Sequence, residues 1–267
     1  MLKAIMFDLD DTLIWDEKSV DEAFKKTCRL AEEKANVNPE KLEERIRENA
    51  QKLFAAYDTY EFAEMIGISP FEGLWAEFDD EGESFRKLNE MAPEYRKKAW
   101  TRSLKEAGED NPQLAIELAE TFKTERGKNQ YIYPETFDVL NKLQGKYRLL
   151  MLTNGSPDLQ QTKLTITSEL KPYFEHIVIS GAFGRGKPDP SIFDHAMELL
   201  NVEKDDVLMV GDNPGSDILG ASKAGIQSVW INHEKYDPGD VKPGYEISRL
   251  SEVLDIINQS TIQGKEV

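Results

Sequence analysis

The stretch AIMFDLDDTL, residues 4–13, begins as a short apolar strand and ends by presenting Asp8 and Asp10. Two carboxylates two residues apart, just past the end of a strand, leave the sheet on the same side. Like charges held this close are stable in their ionised form only when something positive lies beside them. A divalent metal ion or a phosphoryl group in transfer meets that need, and both bind well at the carboxyl end of a strand.

The length and composition limit the number of domains and the class of protein. The 267 residues are enough for one large domain or two modest ones, and 39% hydrophobic with 31% charged residues is typical of a soluble globular protein. No apolar run approaches the roughly 20 residues that cross a bilayer, and the chain enters its first strand without a signal segment. We therefore expect a cytoplasmic protein with no membrane partner.

The chain is strongly acidic, with a net charge of −17. Such a surface repels nucleic acid at long range, so we expect no nucleic-acid partner. A small anionic substrate needs a locally positive pocket, which a lysine, helix N-termini and a bound cation can supply. The acidic surface is compatible with a monomer or a homodimer.

The cysteine is predicted to be structural, and each histidine is predicted to be a structural or a surface residue. The single cysteine, Cys28, lies on a helical stripe with Val20 and Phe24, which indicates a buried thiol and excludes an internal disulfide. The histidines are too far apart in sequence for zinc-ligand spacing. They are His176, His195 and His233.

From Lys146 onward, short apolar runs alternate with amphipathic stretches. Together with the N-terminal strand, this alternation predicts an α/β fold, a Rossmann-like parallel sheet with helices on both faces. The further predicted strands are 147–153, 176–180, 206–210 and 227–231, and the predicted helices are roughly 157–170, 190–200 and 214–224. Each helix begins at a proline that directly follows a capping residue: Ser156-Pro157, Asp189-Pro190 and Asn213-Pro214.

Between Trp15 and about Tyr133 the pattern changes to helices without strands. Because this region interrupts the α/β alternation, we interpret residues 16–133 as an inserted all-α domain. The α/β core then consists of residues 1–15 and 134–267. Within the insert, the acidic stretch FDDEGE is interpreted as a solvated turn.

Four short segments lie in a fixed order at the ends of predicted strands or in the loops that follow. They are DLDDT (8–12), LTNG (152–155), GKPDP (186–190) and GDNPGSD (211–217). This set resembles the haloacid dehalogenase-like (HAD) hydrolase superfamily, in particular its phosphatase branch. The resemblance covers residues 1–15 and about 134–250, and the helical insert is similar to the family's type-one cap.

The residue types suit phosphoryl transfer, which needs an in-line nucleophile, charge neutralisation and a protonated leaving oxygen. Asp8 is best placed to attack phosphorus and form an aspartyl-phosphate. Asp10 then acts as general acid toward the leaving alkoxide and as general base toward water. Thr153 and the backbone N–H of Asn154 bind phosphate oxygens, and Lys187 neutralises charge on the phosphoryl group.

The same segments predict a Mg²⁺ site. Asp8 and Asp212 hold the ion, and the main-chain carbonyl of Asp10, a phosphate oxygen and waters complete a roughly octahedral shell. By the family pattern, Asp217 lies at the edge of the metal or pairs with Lys187.

The resemblance also narrows the reaction. Dehalogenases of the family lack an acid two residues after the nucleophile, so Asp10 favours phosphate-ester hydrolysis or a phosphomutase, and hydrolysis is the more common chemistry. Similarity to bacterial long-capped HAD phosphatases, some assigned as phosphoserine phosphatases, favours O-phosphoserine. The alternatives are a nucleoside monophosphate or a broad range of sugar phosphates. Phosphomutase, dehalogenase and non-catalytic interpretations are less favoured.

The cap is expected to set substrate choice, because the catalytic groups contact only the phosphate. A substrate that bears a carboxylate needs a cation from the cap, and Lys25, Lys26 and Arg29 are candidates. Trp15 and Phe24 would stack on a base if they line the cleft, although both are more typical of core residues.

Overall fold

The computed structural model describes residues 1–128 and 130–263, with side chains described up to residue 259. The end of the predicted core, 264–267, lies outside the described residues. The chain folds into two compact units. The α/β unit contains Met1–Trp15, Tyr131–Asn154 and Thr167–Val267, and the helical unit contains Asp16–Gln130 and Gly155–Ile166.

The α/β unit is built on a parallel sheet. In chain order, the strands are β1 (Ala4–Phe7), β2 (Ile14–Trp15), β3 (Tyr131–Ile132), β4 (Arg148–Thr153), β5 (His176–Ile179), β6 (Val207–Gly211), β7 (Gln227–Ile231) and β8 (Tyr245–Ile247). The six-stranded sheet has the order β5-β4-β1-β6-β7-β8, and every pair in it is parallel. Strands β2 and β3 form a separate antiparallel pair.

The helices occupy both units. In chain order, they are α1 (Asp16–Ala35), α2 (Pro39–Phe54), α3 (Tyr60–Ile66), α4 (Pro70–Gly73), α5 (Glu83–Glu106), α6 (Pro112–Lys128), α7 (Thr136–Leu143), α8 (Pro157–Ile166), α9 (Ser180–Phe183), α10 (Pro190–Leu200), α11 (Leu219–Ala224) and α12 (Val253–Gln263). A π-helical turn, Pro214–Ile218, precedes α11. Among the described residues, no helix combines the length and the apolar character that crossing a bilayer requires.

The predicted sheet is confirmed, and its central strand is buried on both faces. All four residues of β1 are fully buried although successive side chains point to opposite faces. On one face, Ala4 and Met6 belong to a core cluster that also contains Ile192 and Phe193 of α10. Coverage on both faces explains why these strands are continuous apolar runs rather than alternating ones.

The predicted helix starts are confirmed by their caps. The Asp189 side chain accepts a hydrogen bond from the Ser191 N–H (3.0 Å), and Ser156 Oγ accepts one from the Leu159 N–H (3.3 Å). The Asn213 side chain caps the π-helical turn in the same way. The helix predicted for 157–170 ends earlier, at Ile166, because the backbone of the next residue leaves the helical region.

The helical unit has its own aromatic core. Phe24 lies fully buried with its ring centroid 4.4 Å from that of Phe122 and 6.3 Å from that of Trp100. Cys28 is buried in the same cluster, which confirms the prediction of a structural thiol. Burial raises the pKa of this thiol to about 12, so it is protonated at neutral pH.

Helix α8 belongs to the helical unit although it lies far from the rest of that unit in sequence. At its start, the Asp80 carboxylate accepts hydrogen bonds from Ser156 Oγ (2.6 Å) and from the Asp158 N–H (2.7 Å). The expectation that FDDEGE is only a solvated turn is therefore wrong for Asp80. The predicted domain boundaries, 16–133 for the cap and 1–15 with 134–267 for the core, stay a prediction.

Two buried cations hold α8 and α6 within the helical unit. The fully buried Lys163 ammonium lies 3.0 Å from Glu72 Oε1 and 3.7 Å from Asp16 Oδ1. Arg126, also fully buried, donates to Asp16 Oδ1 at 2.8 Å. Each buried charge thus has a partner of opposite sign, as charges in a low-dielectric interior require.

Candidate active site

Adjacent strands of the sheet bring the motif residues together. Asp8 directly follows β1 and Asp212 directly follows β6, and these two strands pair in register up to Phe7 and Val210. The Asp8 N–H donates to the Val210 carbonyl at 3.0 Å, which extends the ladder of hydrogen bonds to Asp8. Thr153 ends β4, the neighbour of β1 on its other side. The ends of three parallel strands therefore meet at one edge, where ligands of such sheets bind.

A cluster of three carboxylates and one ammonium forms at this edge. Asp8, Asp212 and Asp217 each offer a carboxylate oxygen, and these oxygens all lie within 4.8 Å of one another. The Lys187 ammonium lies 2.7 Å from Asp8 Oδ1 and 2.7 Å from Asp217 Oδ1. It also donates to the carbonyl of Leu152 at 2.8 Å. Both the predicted clustering of Asp8 with Asp212 and the pairing of Asp217 with Lys187 are thus seen in the structure.

Asn154 fixes the loop that carries Lys187. Its side-chain Nδ2 donates to the Lys187 carbonyl at 2.9 Å, and its Oδ1 accepts from the Lys187 N–H at 2.8 Å. A Cβ at Gly186 would lie 2.8 Å from Asn154 Oδ1, so a side chain there would push the two segments apart. The glycine of GKPDP is therefore needed for this close approach.

Asp217 is held by its own loop. The carboxylate is fully buried, and its Oδ2 accepts a hydrogen bond from the Asn213 N–H at 3.0 Å. A Cβ at Gly211 would overlap the Asp217 carboxylate, so only glycine fits at the end of β6.

Asp212 has two partners that sequence reasoning missed. Thr12 Oγ1 donates to Asp212 Oδ1 at 3.2 Å, and Trp230 Nε1 donates to the Asp212 carbonyl at 2.7 Å. Thr12 belongs to the DLDDT segment, so its place in that motif was the available signal. Trp230 is recognisable only from the strand register, which pairs it with Gly211.

Burial and crowding shift the proton affinities of the cluster. Burial raises the pKa of Asp8 to about 6, although the Lys187 ammonium opposes this rise and Asp217 adds to it. Burial and the nearby carboxylates of Asp217 and Asp8 raise the pKa of Asp212 well above its usual range. Burial alone would lower the pKa of Lys187, but Asp217 and Asp8 outweigh it and raise that pKa.

The donor set fits a hard divalent cation. With all four groups ionised, three carboxylates and one ammonium leave an excess of two negative charges. Carboxylate oxygens are the ligands that Mg²⁺ prefers, and a divalent ion would balance the excess. Asp8, Asp212 and Asp217 are therefore the residues that would hold it.

The remaining predicted residues lie in the turn after β1, at the end of β4 and directly after it. Asp10 is half-buried in the turn after β1, and within the described chain it is not one of the three clustered carboxylates. This turn begins at Leu9, whose carbonyl accepts hydrogen bonds from the N–H groups of Leu13 and Ile14. Thr153 is buried at the end of β4. The roles of Asp10 and Thr153, and that of the Asn154 N–H, stay predictions.

Comparison with known proteins agrees with the fold and the motifs. A family model described as haloacid dehalogenase-like hydrolase matches residues 2–225. The chain belongs to this family. The resemblance inferred from the four motifs is confirmed, and so is the α/β fold class that it implied.

The curated relatives of this HAD protein include phosphatases. The phosphoserine phosphatase of Thermus thermophilus is 36% identical over 256 residues, which span 95% of this chain and 98% of that protein. The pyrimidine 5'-nucleotidase YjjG of Escherichia coli is 38% identical over 126 residues, 46% of this chain and 56% of that protein. The protein is a HAD-family phosphatase, a phosphoric monoester hydrolase.

A solved structure agrees at the level of the fold. The HAD hydrolase YfnB of Bacillus subtilis, which was crystallised with magnesium, superimposes with a TM-score of 0.67 at 23% identity. The match covers 96% of this chain and 99% of that one.

Proposed function

We propose that this phosphatase hydrolyses a small phosphorylated metabolite, with O-phosphoserine the first candidate, in a Mg²⁺-dependent reaction through an aspartyl-phosphate at position 8. The observation that carries the chemistry is the contact of Lys187 with Asp8 and Asp217 beside Asp212. The substrate rests on similarity to the phosphoserine phosphatase of Thermus thermophilus along nearly the whole length of both chains.

In the first step, an oxygen of the ionised Asp8 carboxylate forms a bond to phosphorus as the bond from phosphorus to the ester oxygen breaks. Asp10, in its protonated form, gives its proton to the departing alkoxide. Lys187 holds Asp8 in place and neutralises charge on the phosphoryl oxygens. Thr153 and the Asn154 N–H bind those oxygens from the neighbouring loop.

In the second step, water attacks the phosphorus of the aspartyl-phosphate. Asp10, now ionised, accepts the proton of that water, and the bond between phosphorus and the Asp8 oxygen breaks. Inorganic phosphate leaves, and both aspartates return to their starting forms. One hard displacement is thus divided into two easier ones.

Asp8, Asp212 and Asp217 would hold Mg²⁺, and the bound ion supplies positive charge to the phosphoryl oxygens. The excess negative charge of the cluster and its oxygen ligands support this assignment. The main-chain carbonyl of Asp10 is the further ligand we propose.

A nucleoside monophosphate is the second candidate substrate, because YjjG is similar over about half of that protein. The structure removes Phe24 from the residues that could stack on a base, since its ring is fully buried in the helical core. Trp15 is 36% exposed and stays a candidate. Of the cap cations considered for a substrate carboxylate, Lys25 is paired with Glu22 and Lys26 with Glu125.

The experiment is a phosphate-release assay on phosphoserine, a nucleoside monophosphate and a sugar phosphate, with Mg²⁺ and with EDTA. We expect the highest kcat/KM with phosphoserine, and loss of turnover in EDTA that added Mg²⁺ restores. Asp8→Asn should abolish turnover, whereas Asp205→Asn, which changes an exposed carboxylate just before β6, should not. An Asp8→Asn rate equal to wild type would remove the nucleophile assignment.

A further inference from the structure

Three rings stack in the α/β unit beside the turn that carries Asp10. The Trp15 and Tyr133 rings are nearly parallel, 14° apart, with centroids separated by 5.2 Å. The Tyr133 and His233 rings continue the stack at 4.8 Å and 11°. His233 was expected to be a structural or surface residue, yet the stack fixes the plane of its ring.

The edge of the His233 ring contacts the turn directly. His233 Nε2 lies 2.9 Å from the main-chain carbonyl oxygen of Asp11. A carbonyl oxygen only accepts, so Nε2 carries the proton and donates to Asp11. The ring thus makes a directed contact with the residue next to Asp10.

The loop that carries His233 is itself anchored. The Asn232 side chain donates to the Tyr236 carbonyl at 2.9 Å and to Glu246 Oε1 at 2.8 Å. Its Oδ1 accepts from the Tyr236 N–H at 2.9 Å. Because the loop closes on itself in this way, the imidazole is presented from a defined position at the end of β7.

The turn needs support from outside. Asp11 has a φ of +54°, a left-handed conformation that residues other than glycine seldom adopt. Three successive residues of the turn are tied to three different elements: Asp11 to His233, Thr12 to Asp212, and Leu13 to the Thr136 hydroxyl at 2.8 Å. The first of these ties is the nearest to Asp10 along the chain.

We propose that His233 is a positioning residue for Asp10: by donating to the Asp11 carbonyl, it holds the turn in the conformation from which Asp10 protonates the leaving group. This inference rests on the proposed function, in which the Asp10 proton passes to the ester oxygen as its bond to phosphorus breaks. A displacement of about 1 Å at a catalytic group can cost about 100-fold in rate.

If His233 positions Asp10, the loss of rate in a His233 variant depends on whether the leaving group needs a proton. An alkyl phosphate releases an alkoxide that must take a proton, whereas p-nitrophenyl phosphate releases a phenolate that leaves without one at neutral pH. A misplaced Asp10 therefore slows the alkyl ester far more than the aryl ester. A general loss of folded enzyme slows both equally. The parameter to compare is kcat/KM, because it reports the first phosphoryl transfer, in which the leaving group departs.

The experiment measures kcat/KM with p-nitrophenyl phosphate and with the fastest alkyl ester among phosphoserine, a nucleoside monophosphate and a sugar phosphate. The variants are His233→Ala and His233→Gln, whose side-chain amide keeps an N–H donor. His195→Ala is the matched control, since that ring also stacks on an aromatic, Phe183 at 5.0 Å, but lies on α10. A thermal melt of each variant shows how much of it is folded.

We expect His233→Ala to lower kcat/KM for the alkyl ester by about 10-fold to 100-fold and for p-nitrophenyl phosphate by less than about threefold. His233→Gln should recover at least part of the loss on the alkyl ester, and His195→Ala should match wild type. Equal losses on the two esters, or no loss on either, would overturn the positioning role while leaving the phosphatase assignment intact. A wild-type enzyme that releases phosphate from none of these esters would instead contradict the proposed function.

If His233→Ala fails to fold, His233→Phe takes its place, because phenylalanine keeps an aromatic ring beside Tyr133 but has no N–H to donate to the Asp11 carbonyl. The inference then requires the alkyl ester to lose more than the aryl ester in that variant, by at least about threefold, and two esters at the wild-type level overturn it. A loss shared equally by the two esters overturns it.

Discussion

Replacing Lys187 with methionine tests the electrostatic core of the site. The ammonium is almost wholly buried and lies 2.7 Å from carboxylate oxygens of both Asp8 and Asp217. Methionine keeps most of the length of the side chain but removes its charge. The substitution leaves a cluster of buried carboxylates without its internal cation.

The geometry sets the size of the effect. At 2.7 Å and an effective dielectric constant of about 20, each ion pair carries a gross Coulomb attraction of about 6 kcal/mol, most of which offsets desolvation. Removing one partner of a buried pair typically costs about 3–5 kcal/mol in the free energy of unfolding. Activity should fall by at least about 100-fold, because the positive charge that we propose for neutralising the phosphoryl oxygens is lost.

Urea unfolding in EDTA measures the stability, and phosphate release measures the activity. Asp217→Asn in the Lys187→Met background should recover part of the lost stability, because it removes one of the carboxylates left unpaired. The control is Lys97→Met, which removes an exposed lysine of α5. A Lys187→Met enzyme that loses less than about 1 kcal/mol and keeps near wild-type turnover would refute this reasoning.

Three further perturbations have defined outcomes. Gly211→Ala should lower kcat/KM at least about tenfold, because the added Cβ would displace the Asp217 carboxylate. The control is Gly127→Ala, whose Cβ would meet no atom within 4 Å and should leave kcat/KM unchanged. Equal kcat/KM values for the two variants would contradict the close packing of Gly211 against Asp217. Burial alone would raise the pKa of Asp16, but Lys163 and Arg126 hold it below its usual range. Stability from Asp16 is therefore present above the unfolded pKa of about 4 and is lost as pH falls toward the folded value. In Asp16→Asn, the free energy of unfolding measured in urea should fall less steeply between about pH 5 and pH 2 than in the wild type. An unchanged slope of the free energy of unfolding against pH would contradict this prediction. In isothermal titration, Asp212→Asn should weaken Mg²⁺ binding at least about tenfold, and binding as tight as in wild type would exclude Asp212 as a ligand.

The strands and helix starts of the α/β unit were accessible to sequence reasoning because their signals are local. Apolar runs such as 148–153 identify buried parallel strands without any knowledge of their neighbours. A capping side chain followed by proline, as at Asp189-Pro190, identifies a helix start from two residues. Strands of two or three residues, such as β2, β3 and β8, are too short to show a periodicity and were missed.

The membership of α8 in the helical unit was not predictable, because it depends on distant partners. Lys163 pairs with Glu72, which lies 91 residues away in sequence, and Ser156 donates to Asp80, which lies 76 residues away. A single sequence carries no signal for such pairs. The acidic stretch around Asp80 was therefore interpreted only by its composition.

The sequence predicts one part of the candidate site and not the other. Asp8, Asp212 and Lys187 follow from motif order and strand ends, and the structure brings them together. The contacts of Trp230 with Asp212 and of His233 with Asp11 depend on which strands are neighbours and on loop conformation. The contacts of Trp230 and His233 therefore depend on the fold, and the four motifs do not predict them.

The most direct test of the central claim is chemical trapping of the phosphorylated side chain at position 8. The enzyme is mixed with substrate, quenched in acid and treated with borohydride, which reduces an acyl phosphate but leaves a free carboxylate unchanged. Peptide mass spectrometry then locates the modified residue, with a substrate-free sample as control. We expect homoserine in place of Asp8 only in the sample that received substrate. An unmodified Asp8 in an enzyme that turns over, or reduction at another residue, would contradict a phosphorylated Asp8.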